Sequence, residues 1–158
     1  MRILSAVCLF FTLSLLSAQE MDPIEWLFDI NQVGPDTYEL FFQAKLEEGW
    51  NIYSQEIAED GPIATSINFT SDNVKPEAIA SESGDKKEGM DEMFGMEVIK
   101  YSSKEPFWMK QKVTVSDISK PVTGYVTYML CNDTMCLPPK DTEFSFTIKV
   151  LNPLGGGH

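Results

Sequence analysis

Residues 121–150 read PVTGYVTYMLCNDTMCLPPKDTEFSFTIKV, in which two strand-like runs, 121–130 (PVTGYVTYML) and 142–150 (TEFSFTIKV), flank a loop with two cysteines. Asn132, Asp133 and Thr134 are turn formers, so the chain is expected to reverse between Cys131 and Cys136. A disulfide needs Cα atoms roughly 4.4–6.8 Å apart, which a tight hairpin loop can supply. Pro138 and Pro139 stiffen the exit and cannot donate ladder hydrogen bonds, so this end of the hairpin should stay an edge or a loop.

Upstream, the same β patterning covers most of the chain. Ile24, Trp26, Phe28 and Ile30 alternate with Glu25, Leu27 and Asp29, close to the period of two of a half-buried strand. Val33, Gly34, Pro35 and Asp36 form a turn, and 38–46 resumes as a strand with Leu40, Phe42, Ala44 and Leu46 on one face. After the turn at Glu47, Glu48 and Gly49, a third strand puts Trp50, Ile52 and Ser54 on one side and Tyr53 on the other. The run 63–70 (IATSINFT) reads as a strand, and the polar segment 71–87, with Pro76 and Gly84, as irregular. Residues 89–100 begin as a loop and become a strand near Glu97, and 107–115 (FWMKQKVTV) is a further strand.

No dozen residues have helical periodicity, and no repeat or linker divides the chain. Roughly seven or eight short strands predict an all-β fold, an immunoglobulin-like antiparallel β-sandwich. Trp26, Phe28, Phe42 and Phe107 are its expected core residues. Cys131 and Cys136 are too close in sequence to bridge two sheets about 10 Å apart, so they belong together at one hairpin end.

The first residues, MRILSAVCLFFTLSLLSAQE, have the charge, short apolar run and small residues of a secretory signal, with cleavage expected near Ala18. Val7 before Cys8 disfavours a lipid-anchored reading. The expected division is a leader at 1–18, one domain at 19–151 and a flexible glycine-rich tail at 152–158. No later segment is apolar enough for a membrane-spanning helix, and a monomeric exported protein is expected. The net charge of −12 opposes a phosphate backbone, so nucleic acid is an unfavourable partner. With Cys8 lost in the leader, two cysteines remain in an oxidising compartment, as a disulfide or a redox couple.

Residue chemistry alone leaves several readings open. A structural staple of so short a loop would add only about 2 kcal/mol, and the domain is large enough not to need one. Short exposed loops hold reducible disulfides, which favours exchange. Met90, Met93 and Met96, with Met129 and Met135 beside the cysteines, make an exported Cu(I)-binding module a rival, because soft sulfur ligands select that ion. A non-catalytic adhesion or assembly sandwich is a third reading. The sole histidine is His158 in the tail, so Ser-His-Asp and Cys-His catalysis are unavailable, and acid pairs such as Glu47 and Glu48 read as solvated turns.

The passage GYVTYMLCNDTMCLPPKDTEF resembles the active hairpin of the amino-terminal periplasmic domain of the DsbD family. There a V-T-Y-like strand leads to a cysteine, a polar loop, a second cysteine and Pro-Pro. Asp91, Glu92, Met93, Phe94 and Gly95 resemble that family's cap loop, and Gly49 to Tyr53 (GWNIY) resembles its Gly-aromatic-x-x-Tyr strand. The similarity runs over roughly residues 22–150.

The resemblance implies an immunoglobulin-like sandwich that takes two electrons from a thioredoxin-like partner or membrane reductase and passes them to exported proteins. Cys131 and Cys136 would be the couple, Cys136 the exchanging sulfur and Cys131 the resolving one, with Tyr128, Pro138 and Pro139 supporting the hairpin. No metal or organic cofactor is implied. Two departures stand out: four residues separate the cysteines where well-known members have five, and Met93 replaces the first cap aromatic. The family's membrane and thioredoxin-like domains do not follow this sandwich, so a separate membrane electron donor is expected. Asp91 and Glu92, if set near the sulfurs, would raise a thiol pKa and quiet idle reactivity.

Overall fold

The computed structural model describes residues 21–149. The expected leader at 1–18 with Cys8, and the expected tail at 152–158 with His158, lie outside the described residues. Within them the chain forms twelve strands and no helix: β1 (Ile24–Gln32), β2 (Thr37–Leu46), β3 (Asn51–Tyr53), β4 (Ser66–Phe69), β5 (Val74–Pro76), β6 (Ser81–Ser83), β7 (Asp85–Asp91), β8 (Met96–Ser102), β9 (Phe107–Val115), β10 (Val122–Tyr128), β11 (Leu130–Cys131) and β12 (Lys140–Phe146).

These strands make three antiparallel sheets. The first runs β1-β2-β9-β5, with β6 also on the β9 edge; the second is β12-β10-β4; the third is β11-β3-β8-β7. The long strands carry the alternation read from the sequence. Leu40, Phe42 and Ala44 of β2 and Phe107, Met109 and Val113 of β9 are buried on one face. They meet Val122, Val126 and Tyr128 of β10 and Phe144 and Phe146 of β12 in one core cluster. Aromatic edges interlock across it, with ring centroids 5.6 Å apart for Phe28–Phe42 and 5.0 Å for Phe42–Phe144. At Gly124, a Cβ would collide with the Asn68 carbonyl oxygen and with Phe144 Cζ, so β10 must be bare there. The result is an immunoglobulin-like β-sandwich, whose core also takes in Ile52, Tyr101 and Leu130 of the third sheet.

Several local expectations are corrected. The segment 71–87 is not irregular: it holds β5, β6 and the start of β7. The first two are recruited by free stretches of the β9 edge and β7 by β8. Backbone pairing of this kind needs no apolar alternation, so the polar sequence hid it. Strand β7 runs on through Asp91 where a loop was expected, and its exposed Lys86, Lys87 and Glu88 blunt an open sheet edge. The run 63–70 pairs only over β4. The run 121–130 is two strands: the chain leaves the second sheet after Tyr128 and joins the third at Leu130. Tyr53 is as buried as Ile52 and Ser54, because β3 lies between two strands and under a loop rather than with one wet face.

Candidate functional site

The switch at Met129 delivers Cys131 to β11, which pairs with β3 through Leu130↔Ile52 and Cys131↔Asn51. The next four residues turn back tightly. Asn132 Oδ1 accepts from the backbone N–H of Thr134 and of Met135, each at 2.9 Å, while Asn132 N–H donates to the Met135 carbonyl. An asparagine side chain that satisfies the turn's own amides is why this short loop closes. Leu137 N–H then donates to the Leu130 carbonyl at 2.9 Å, and Cys131 and Cys136 face each other as an antiparallel bridge. They are joined as a disulfide with Cα atoms 4.1 Å apart.

The two sulfurs have unequal surroundings. Cys131 is 3% exposed and belongs to a small core of its own with Tyr53 and Val98. Cys136 is only partly buried, at the rim of that cluster, with Ile57, Phe94, Met96 and Met129 around it. Pro138 and Pro139 are exposed, and with Tyr128, Leu130 and Leu137 they line an apolar pocket of about 240 Å3 behind the hairpin. Tyr128 is buried, packs with its ring tilted against Trp26 at a centroid distance of 5.4 Å, and shares a 3.2 Å hydrogen bond with Thr142 across the hairpin.

Of the five residues expected as a cap, Asp91 ends β7 and the other four form the turn to β8, which brings Met93 and Phe94 to the disulfide. Gly95 adopts φ +66, a left-handed conformation that favours glycine, and its N–H donates to the Asp91 carbonyl at 2.7 Å. The Asp91 side chain is 4% exposed and anchors the turn. Its Oδ2 accepts from Tyr53 Oη at 3.0 Å and from Lys100 Nζ at 2.8 Å, and its Oδ1 from Met93 N–H at 3.0 Å. Burial alone would raise its pKa. The Lys100 and Tyr53 hydrogen bonds, the Lys100 charge and the Met93 amide outweigh that and hold the carboxyl below the ordinary range. Burial, then the Asp91 hydrogen bond and charge, push the Tyr53 phenol well above its usual value, so it stays a donor.

With the loop so held, Phe94 packs edge-on against Tyr53, centroids 5.9 Å apart, and Met93 Sδ lies 3.8 Å from Cys136 Sγ. The methionine in place of an aromatic thus still lies against Cys136, while its own side chain is about half exposed. Glu92 is exposed. The Asp91 carboxylate, expected to act on the sulfurs through its charge, is ion-paired to Lys100 and hydrogen-bonded to Tyr53.

Sequence reading left Tyr53, Lys100 and Val98 without roles, and gave none to Asn51 within its strand motif. Asn51 is 7% exposed and opposite Cys131; its Nδ2 donates to the Cys131 carbonyl at 3.4 Å, and its Oδ1 is buried with no donor among the described residues. A polar residue inside an otherwise apolar strand was the available signal.

A family model described as the thiol:disulfide interchange protein DsbD, N-terminal, matches residues 19–148. No curated protein sequence matches. Among solved structures, the N-terminal periplasmic domain of ScsB from Proteus mirabilis superposes with TM-score 0.59 at 16% identity, covering 84% of this chain and 49% of that one. This chain therefore spans about half the length of that relative. The Neisseria meningitidis DsbD N-terminal domain in the reduced form gives 0.52 at 20% identity, covering 79% and 86%. The yeast GGA1 GAE domain gives 0.50 at 10% identity, covering 82% and 96%, which speaks to the sandwich alone.

Proposed function

This chain belongs to the family of the DsbD N-terminal domain, and from that premise we propose that it is a periplasmic two-electron carrier working through Cys131 and Cys136. The observation that supports this most is the asymmetry of the pair: Cys131 is 3% exposed, and Cys136 stands at the rim beneath Met93. A partner can reach one sulfur and not the other.

In the loading half-reaction, a thiolate of a thioredoxin-like partner or of a membrane reductase attacks Cys136 Sγ. The Cys131–Cys136 bond breaks, its electron pair leaves on Cys131, and a mixed disulfide joins the donor to Cys136. The donor's second thiolate then attacks its own sulfur in that bond and frees Cys136. In the delivering half-reaction, the Cys136 thiolate attacks the disulfide of an exported protein. Cys131 attacks Cys136 to restore the internal disulfide, and the substrate leaves reduced by two electrons. The cap gives way as a partner docks, and otherwise keeps small oxidants from Cys136. Residues 19–151 form the working unit, exported by removal of 1–18.

The test is trapping with exported thioredoxin-like proteins. Cys131→Ser should accumulate a mixed disulfide through Cys136, since the resolving thiol is gone, and Cys136→Ser should trap none. Equal trapping by both variants, or none by either, would overturn the carrier reading.

A further inference from the structure

The disulfide sits against a third sulfur that exchange chemistry does not use. Met93 Sδ lies 3.8 Å from Cys136 Sγ, on the open side of the pair. Once the disulfide is reduced, its two sulfurs separate to nonbonded distance, yet the hairpin holds their Cα atoms near 4.1 Å. Three soft donors then converge: two thiolates and a thioether. A trigonal site with metal–sulfur bonds of about 2.3 Å has sulfur–sulfur edges of about 4 Å. The Met93–Cys136 spacing is already close to such an edge.

We propose that the reduced Cys131–Cys136 pair and Met93 bind one Cu(I) ion, as two thiolates and one thioether. Thiolate and thioether ligands select Cu(I) over harder divalent ions. Among the described residues no group of three or more His, Cys, Asp or Glu side chains converges to favour those ions. The surroundings suit a low-charge ion: Tyr53, Val98, Phe94 and Met129 form an apolar wall, and the Asp91 carboxylate is already held by Lys100. On binding, each thiol releases one proton and the copper stays Cu(I), so no electrons move beyond the two that first reduced the pair. A metal-loaded pair has no free thiolate to attack a disulfide, and Cu(I) therefore suspends exchange until it is removed. Binding itself needs only the reduced pair; the suspension of exchange rests on the carrier function.

The test uses the full mature chain, reduced with a dithiol that is then removed without air, and titrated with Cu(I) held by the chromophoric chelator bicinchoninate. The expected result is one Cu(I) withdrawn per reduced chain and none by the oxidised chain. X-ray absorption should find three sulfur neighbours around the metal. Met93→Leu should weaken binding at least tenfold and leave two sulfur neighbours, while Met135→Leu, an exposed change in the hairpin, leaves both results unaltered. Unchanged affinity in Met93→Leu overturns the proposal. If that variant fails to fold, the wild-type sulfur count decides: two neighbours sink the site and three uphold it.

Discussion

The Tyr53 hydroxyl donates to Asp91 Oδ2 at 3.0 Å, joining the strand beneath the disulfide to the first residue of the loop above it. Both residues are buried, and Tyr53 also carries Phe94 on its ring. One phenol thus sets both the polar anchor and the apolar seat of the cap. Tyr53→Phe keeps the seat and removes one donor from a buried carboxylate. It is expected to lower unfolding free energy by about 1–2 kcal/mol, read by urea denaturation. Reduction of the Cys131–Cys136 bond by a small phosphine should also quicken. A wild-type reduction rate would mean that the hydrogen bond does not govern the cap.

The same carboxylate gives the cap a pH dependence. Asp91 is held below its ordinary pKa in the folded chain, so its contribution is fully present above the unfolded value of about 3.9 and is lost as pH falls through the lower folded value. Asp91→Asn removes that charge at every pH. The ratio of wild-type to Asp91→Asn phosphine reduction rates should therefore lie below one at neutral pH and climb toward one in acid, below about pH 4. A ratio that is flat with pH contradicts this account.

Asn51 should tune the couple. Its buried Oδ1 finds no donor among the described residues while Cys131 is oxidised, because a disulfide sulfur has no proton to give. A reduced Cys131 thiol, on the strand directly opposite, can supply one. Asn51→Ala is expected to disfavour the reduced form by about 1 kcal/mol, a potential roughly 20 mV more negative in a glutathione equilibrium. A shift in the positive direction would contradict the assignment.

Gly124 tests the sandwich away from the site. Alanine there drives its methyl into the Asn68 carbonyl and the Phe144 ring, and should cost about 1–3 kcal/mol by overpacking. Because Gly124 meets Asn68 and Phe144 in the second sheet while Cys131 lies in the third, the thermal midpoint should fall while the potential of the couple stays as in wild type. A wild-type midpoint would mean that β10 shifts freely.

The β class, the long strands β1, β2 and β9, the hairpin turn at Asn132 to Thr134 and the pairing of Cys131 with Cys136 could all be read from the chain before it folds. These are local matters: alternation at period two, turn chemistry and short separation are written along the chain. That the segment 91–95 would lie by the cysteines was also legible, though only through resemblance. Tertiary structure alone decided that the polar stretch 71–87 completes sheet edges, since an open neighbouring strand and not its own pattern recruits it. It also decided that β10 and β11 part at Met129, which moves Cys131 into the third sheet. The roles of Tyr53, Lys100 and Asn51 had to wait for it too, because each meets its partner across a strand register that no local pattern encodes. Tyr53 and Asp91 are 38 positions apart, and only the lateral pairing of β3 with β8 and of β8 with β7 brings them together beside the disulfide.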